Sequence, residues 1–223
     1  MASNVGAAAR GRAAAVEAIE RSGVVAIIRM RDASRVSQVV QALIDGGVTT
    51  LEITMTVPGA IDVIRSVAAT CGEETLLGAG TVCDPATAAQ VIDAGARFIV
   101  APVFDPDTIR ASHERDVPIM PGCFTPTEMF NASRLGVDLI KVFPATRLGP
   151  GFLKDVLAPL PYLKLVPTGG VTPENAGDWI RAGAAAVALG SALVDPAAVE
   201  AGDFGRISAA ARRAIDNVHA ARA

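Results

Sequence analysis

Four stretches of the chain close an apolar, helix-like segment on glycine and run straight into a short apolar strand. They are Ile44-Asp45-Gly46-Gly47 before 48–53, Ile92-Asp93-Ala94-Gly95 before 96–100, Leu135-Gly136 before 137–142, and Ile180-Arg181-Ala182-Gly183 before 184–189. Glycine at a helix C-terminus accommodates the left-handed turn that ends it, so each stretch reads as helix, turn, strand. Gly47, Gly95, Gly136 and Gly183 follow one another at intervals of 48, 41 and 47 residues. Each interval holds two strand–helix units. The missing strands are the other apolar runs: Val24 to Arg29, Leu76 to Gly80, Pro118 to Pro121 and Leu163 to Val166. The pattern predicts eight strands alternating with helices.

Strands that are apolar throughout, separated by helices, imply a parallel sheet covered by helices. Eight units over 223 residues fit an α/β fold of the (β/α)8 TIM-barrel type near the short end of its range. One such domain is expected to occupy 1–223. The acid-poor stretch from Met1 to Ala15 merges into a helical pattern and reads as an N-terminal helix with a frayed start. A doubly wound open sheet is the rival architecture. Its dinucleotide-binding version is weakened because no G-x-G-x-x-G follows the first strand.

Inward residues recur at every second strand position, and alternate strands share an interior layer. Five residues after each repeat glycine stand Glu52, Val100, Lys141 and Ala188; seven after stand Thr54, Pro102, Phe143 and Gly190. This register puts one carboxylate and one ammonium in a single layer near the C-terminal mouth. A desolvated lysine has a lowered pKa and can attack a carbonyl carbon to form a Schiff base, with a neighbouring carboxylate moving protons. The alternative is a structural ion pair between Lys141 and Glu52. The other lysines, Lys154 and Lys164, fall in a helix and near a strand start and read as solvated.

Composition narrows the chemistry. With 20 Lys+Arg against 23 Asp+Glu, the net charge is −3 and neither sign forms a long run, which argues against nucleic acid or an acidic membrane as partner. Seven Phe, one Tyr and one Trp are too few for a base- or sugar-stacking platform. Only His113 and His219 are present, without metal-ligand spacing, so no metal and no cofactor are expected. Cys71, Cys83 and Cys123 form no C-x-x-C pair and read as reduced, buried thiols of a cytoplasmic protein. No apolar run approaches a membrane span.

Two glycine-containing strand ends, Pro167-Thr168-Gly169-Gly170 and Leu189-Gly190-Ser191, close strands seven and eight. Such loops commonly hold phosphate in barrels, and ordinary tight turns are the alternative. Arg29 ends strand one and Thr81 ends strand three. Either can hydrogen-bond a substrate carboxylate, Arg29 in bidentate fashion; a surface arginine and a helix cap are the alternatives. Thr125 and Thr172, each followed by proline, read as caps.

Leu51-Glu52-Ile53-Thr54, Gly78-Ala79-Gly80-Thr81-Val82, Pro121-Gly122, Ile140-Lys141-Val142-Phe143-Pro144-Ala145, Pro167-Thr168-Gly169-Gly170-Val171 and Leu189-Gly190-Ser191 occur in this order. The set resembles the 2-keto-3-deoxy-6-phosphogluconate (KDPG) aldolase and 4-hydroxy-2-oxoglutarate aldolase family, class I pyruvate aldolases with a (β/α)8 barrel. The resemblance runs from about Gly23 to Ile207. It implies that Lys141 forms the Schiff base with a 2-keto acid and Glu52 is the general acid/base, acting through water. It further implies that Thr81 holds the pyruvyl carboxylate, Pro102 and Phe143 wall the pocket, and Thr168 contacts substrate. Gly169, Gly170, Gly190 and Ser191 would receive the phosphate of the aldehyde moiety. The implied products are pyruvate and glyceraldehyde 3-phosphate, and the implied assembly is a homotrimer without metal.

One position departs from the pattern. Some members carry an arginine four residues after the glutamate, where this chain has Thr56, so the carboxylate charge is expected from Arg29. Three other readings stand beside the first: a 2-keto-3-deoxy-6-phosphogalactonate aldolase, a phosphosugar isomerase on the same barrel, and a non-catalytic trimeric barrel. Strand one ending in Arg29 rather than an acid weighs against the isomerase, and the Lys141/Glu52 pair against the non-catalytic barrel.

Overall fold

The computed structural model describes residues 11–223. Most of the frayed start expected within Met1 to Ala15 lies outside the described residues; the helix itself, α1, spans Arg12–Ser22. There follow β1 (Val24–Ile28), α2 (Val36–Asp45), β2 (Thr50–Thr54), α3 (Ala60–Thr70), β3 (Leu76–Gly80), α4 (Pro85–Asp93), β4 (Ile99–Val100), α5 (Pro106–His113), β5 (Ile119–Met120) and β6 (Gly122–Cys123). The chain continues through α6 (Pro126–Arg134), β7 (Ile140–Val142), α7 (Gly149–Leu157), β8 (Leu165–Pro167), α8 (Ala176–Arg181), β9 (Val187–Leu189), α9 (Pro196–Ala201) and α10 (Phe204–Arg222). The four repeat glycines all take positive φ, from 75° at Gly136 to 109° at Gly95, as a helix-ending turn before a strand requires.

Every strand pairing is parallel. One sheet runs β5-β4-β3-β2-β1-β9 and a second runs β6-β7-β8, joined to β9 by the bridge Thr168↔Ala188. The fifth of the eight expected strands is therefore two segments. β5 pairs with β4 and β6 pairs with β7, and Pro121 stands between them. Proline has no N–H to give a ladder, so the strand changes partners at that residue. Gly122 completes the change, because a Cβ there would lie 2.2 Å from the Pro102 carbonyl oxygen.

The strands separate two apolar regions. One face packs on the helices through Val24, Ala26, Ile28, Leu51, Ile53, Ile140 and Val142. The other gathers Val25, Ile27, Leu76, Phe98, Val100, Met120, Leu139, Val166, Ala186 and Ala188 into a second cluster. Ala15, Val16 and Ile19 of α1 belong to this inner cluster, so α1 fills the interior at the N-terminal ends of the strands. Arg12 fixes the start of α1 to Asp138 at 2.5 Å. At its other end Arg222 donates to the carbonyls of Glu20 (2.8 Å), Arg21 (3.0 Å) and Ala185 (3.0 Å).

Candidate active site

The inner face turns polar toward the C-terminal ends of the strands. Glu52, in the middle of β2, is 2% exposed, and Lys141, in the middle of β7, is 7% exposed. The parity counted from the repeat glycines holds: the flanking Leu51, Ile53, Ile140 and Val142 face the helices, so Glu52 and Lys141 point the other way. Among the described residues the two do not form an ion pair within 4.0 Å, and Glu52 Oε2 has no hydrogen-bond partner. That geometry speaks against the structural salt bridge, since a buried pair is retained only with close contact and satisfied lone pairs.

β3 makes room for the carboxylate. A Cβ on Gly80 would lie 1.7 Å from Glu52 Oε1, and one on Gly78 would lie 2.4 Å from the Phe98 ring. Two of the three inward positions of this strand are thus glycine because side chains from β2 and from Phe98, just before β4, lie across it. The Gly78-Ala79-Gly80 spacing carries this signal in the sequence.

Burial dominates the electrostatics. Desolvation raises the Glu52 pKa, opposed by the charges of Lys141 and Arg29. Desolvation also lowers the Lys141 pKa, opposed by Glu52 and reinforced by Arg29. Both groups are driven toward their uncharged forms, the amine being the nucleophilic one. The Lys141 ammonium position lies over the Phe143 ring, 4.7 Å from its centroid.

Arg29, immediately after β1, is exposed, yet its charge reaches both buried groups. Among the described residues it has no carboxylate within ion-pair distance; Asp32 instead accepts from the Ser34 N–H and hydroxyl. An ion pair with Asp32 therefore does not hold Arg29 at the surface. Thr54, fully buried, has its hydroxyl 3.3 Å from the Ile28 carbonyl and 2.7 Å from the Thr56 hydroxyl. The end of β2 is thereby tied to the point where Arg29 emerges, and Thr56 is a hydroxyl at that rim.

Thr81 follows β3 with φ 62°. A β-branched residue in the left-handed region is strained by roughly 1–3 kcal/mol, a cost that clusters at functional sites. Pro102 is half-buried after β4, and Thr168, 5% exposed, follows β8. Gly169 and Gly170 take φ 93° and 75°, and a Cβ on Gly190 would meet nothing within 4 Å. All the expected site residues thus stand on or just beyond the strands at one end of the fold.

Three further expectations can be placed. Lys164 pairs with Glu20 at 2.9 Å and Lys154 is exposed, which leaves Lys141 as the one buried lysine. Thr125 caps α6 in a reciprocal box with Glu128. Thr172 makes a similar exchange with Asn175, although α8 begins only at Ala176. The thiols are not uniformly buried: Cys123 is, with its pKa pushed up to about 12 by burial, but Cys71 is half-buried and Cys83 exposed. Cys83 stands outside because it follows the strained end of β3, where the chain has left the sheet.

Residues 16–210 match the model of the KDPG and KHG aldolase family. A KHG/KDPG aldolase of Escherichia coli strain K12 is 34% identical over 194 residues, 86% of this chain and 91% of its own. The 2-dehydro-3-deoxy-6-phosphogalactonate aldolase of the same organism is 37% identical over 155 residues, 69% of this chain and 76% of its own. Among solved structures, the KDPG aldolase of Legionella pneumophila, with pyruvate captured as a covalent carbinolamine, superposes with a TM-score of 0.82. It is 28% identical and the match covers 89% of this chain and 96% of that one.

Proposed function

Because this chain belongs to the KDPG and KHG aldolase family and is a carbon–carbon lyase, we propose that Lys141 and Glu52 carry its chemistry on KDPG. The observation that bears most weight is a buried lysine and a buried glutamate facing one interior without an ion pair between them.

The neutral Lys141 amine adds to the C2 carbonyl of the 2-keto acid, and loss of water from the carbinolamine gives a protonated Schiff base. Glu52, through a water, relays the proton to the departing hydroxyl and later takes the proton of the C4 hydroxyl. The C3–C4 bond then breaks, its electron pair flows into the iminium, and glyceraldehyde 3-phosphate leaves. Protonation of the enamine at C3 and hydrolysis release pyruvate and the free amine. 4-Hydroxy-2-oxoglutarate follows the same steps to pyruvate and glyoxylate.

Arg29 and Thr81 hold the carboxylate, with Arg29 supplying the charge that Thr56 lacks. Pro102 and Phe143 wall the pocket, Thr168 contacts the sugar chain, and Gly169, Gly170, Gly190 and Ser191 receive the phosphate. A closed (β/α)8 barrel as one domain over 1–223 is supported by the pairing that continues through the Thr168↔Ala188 bridge, with only Pro121 between its two ends. A homotrimer is supported by the apolar exposure of Val103 (50%) after β4, Phe124 (42%) after β6 and Phe130 (41%) on α6. The phosphogalactonate sugar is the second reading, favoured by the 37% identity to an aldolase of that substrate.

Borohydride reduction in the presence of pyruvate tests the assignment. A reduced pyruvyl adduct is expected on Lys141 by peptide mass spectrometry, and Lys141→Ala is expected to form none and to lose aldol cleavage. An adduct on Lys154 or Lys164 rejects the assignment. Turnover of the two epimeric sugars side by side decides between the two substrate readings.

A further inference from the structure

The phosphate end of the substrate brings close to two negative charges at neutral pH, and the glycine loops offer it backbone dipoles and the Ser191 hydroxyl but no cation. α8 is six residues long and starts at Ala176, beyond a turn in which Asn175 binds the Gly170 carbonyl through Nδ2 at 2.9 Å and the Thr172 N–H through Oδ1 at 2.8 Å. The helix that follows the Gly169-Gly170 loop is thus too short to aim a strong dipole at it. Three arginines on neighbouring elements are already engaged: Arg206 with Asp195 at 2.8 Å, Arg213 with Glu174 at 3.1 Å, and Arg181 with Asp178 at 2.6 Å.

One cation is placed differently. After β7 the chain makes a tight turn, Ala145–Arg147, that lies against the glycine loop. The Ala145 N–H donates to the Thr168 carbonyl at 2.9 Å. A Cβ on Gly169 would lie 3.2 Å from Thr146 Oγ1, and one on Gly170 would lie 3.0 Å from Thr146 Cα. Arg147 is the next residue, exposed, and it has no carboxylate within 4.0 Å among the described residues.

We propose that Arg147, carried by the turn that packs on Gly169 and Gly170, binds the phosphate of the substrate and sets the preference for phosphorylated over unphosphorylated 2-keto acids. The inference rests on the aldolase reading of this site and adds a residue that the motif resemblance does not include. A guanidinium matches phosphate oxygens with two aligned donors, which a loop of N–H groups cannot supply with a full charge.

Kinetics on KDPG and on 4-hydroxy-2-oxoglutarate, which has no phosphate, test it, together with inhibition of KDPG cleavage by inorganic phosphate. Arg147→Gln is expected to lower kcat/KM for KDPG roughly 10- to 100-fold, mostly through KM, to raise the inhibition constant for phosphate at least about tenfold by the same lost bond, and to change 4-hydroxy-2-oxoglutarate cleavage less than about twofold. Arg147→Lys is expected to recover part of the loss. Lys154→Gln, which removes an exposed charge from α7, is expected to leave both substrates unchanged. Equal effects of Arg147→Gln on both substrates, no effect on KDPG, or the same loss from Lys154→Gln overturns the inference alone. Wild-type protein that cleaves neither of these substrates nor the phosphogalactonate epimer overturns the aldolase reading and the inference with it.

Discussion

The same strands present opposite chemistry at their two ends. At the N-terminal end, Ile19 and Phe98 are fully buried and pack with Leu76, Leu139 and Ala186. α1 seals that cluster. Toward the C-terminal end, the inward positions become Glu52, Thr54, Lys141 and Thr168, all buried, and Glu52 Oε2 has no partner. One end gains stability by excluding water from apolar surface. The other spends part of that stability to hold two ionisable groups in an environment that favours neither charge. Stability and activity should therefore separate along the strand axis.

The sharpest way to break this contrast is at Glu52. Glu52→Gln is expected to lower kcat by about 10²- to 10⁴-fold, the range for loss of a general acid/base, while raising thermal stability at pH 8. The sign follows from the raised pKa. The folded chain favours protonated Glu52, so the group stabilises below the ordinary value of 4.5 and loses that contribution as pH rises through its folded value. At pH 8 the carboxylate costs stability that glutamine does not, roughly 1–3 kcal/mol, or a few degrees in Tm. Melting curves at pH 8 and pH 4 check this: the gain should be present at the first and absent at the second. A variant less stable at pH 8 would mean that the carboxylate is satisfied in the fold.

The converse holds at the sealed end. Ile19→Ala should cost about 2–5 kcal/mol through lost burial and a cavity, while the fraction that stays folded keeps kcat/KM within about threefold, because Ile19 reaches none of the charged groups. Denaturant melts and kinetics on one preparation measure both quantities. A large loss of kcat/KM in folded protein would show that the plug and the site are mechanically coupled.

The smallest expected effect sharpens the contrast at the rim. Arg29→Ala should weaken 2-keto acid binding about 10- to 100-fold, the value of a charge-assisted hydrogen bond, with Arg29→Lys only partly restoring it. It should also shift the rising, acidic limb of the pH profile in a definite direction. The Arg29 charge lowers the Lys141 pKa, so its removal should move the pH at which the amine becomes active upward. Kinetics within twofold of wild type, with an unmoved profile, would return Arg29 to the surface.

Much of this contrast was legible in the chain. The repeat glycines set the phase of each strand, and counting in twos from Gly47 and Gly136 turned Glu52 and Lys141 to the same side. Strand parity is a local rule and needs no knowledge of the partner strand. The break at Pro121 was less legible, since a proline within an apolar run can end a strand or merely hand it from one neighbour to the other. Composition likewise assigns the Cys83 thiol to the interior, but its place just after a strained strand end overrides that preference and leaves it exposed.

The sequence by itself determined the alternation of strands and helices, the inward parity of the lysine and the glutamate, the glycine loops beyond the last two strands, and the family. These follow from periodicity and spacing, which act within a few residues of the chain. Only the tertiary structure decided that Glu52 and Lys141 are buried without closing into a salt bridge, that the carboxylate lies across Gly80, that the Arg29 charge reaches both, and that the turn before Arg147 rests on Gly170. Each of these joins segments far apart in the chain, and desolvation and Coulomb interactions depend on what is packed around a group rather than on its neighbours in sequence.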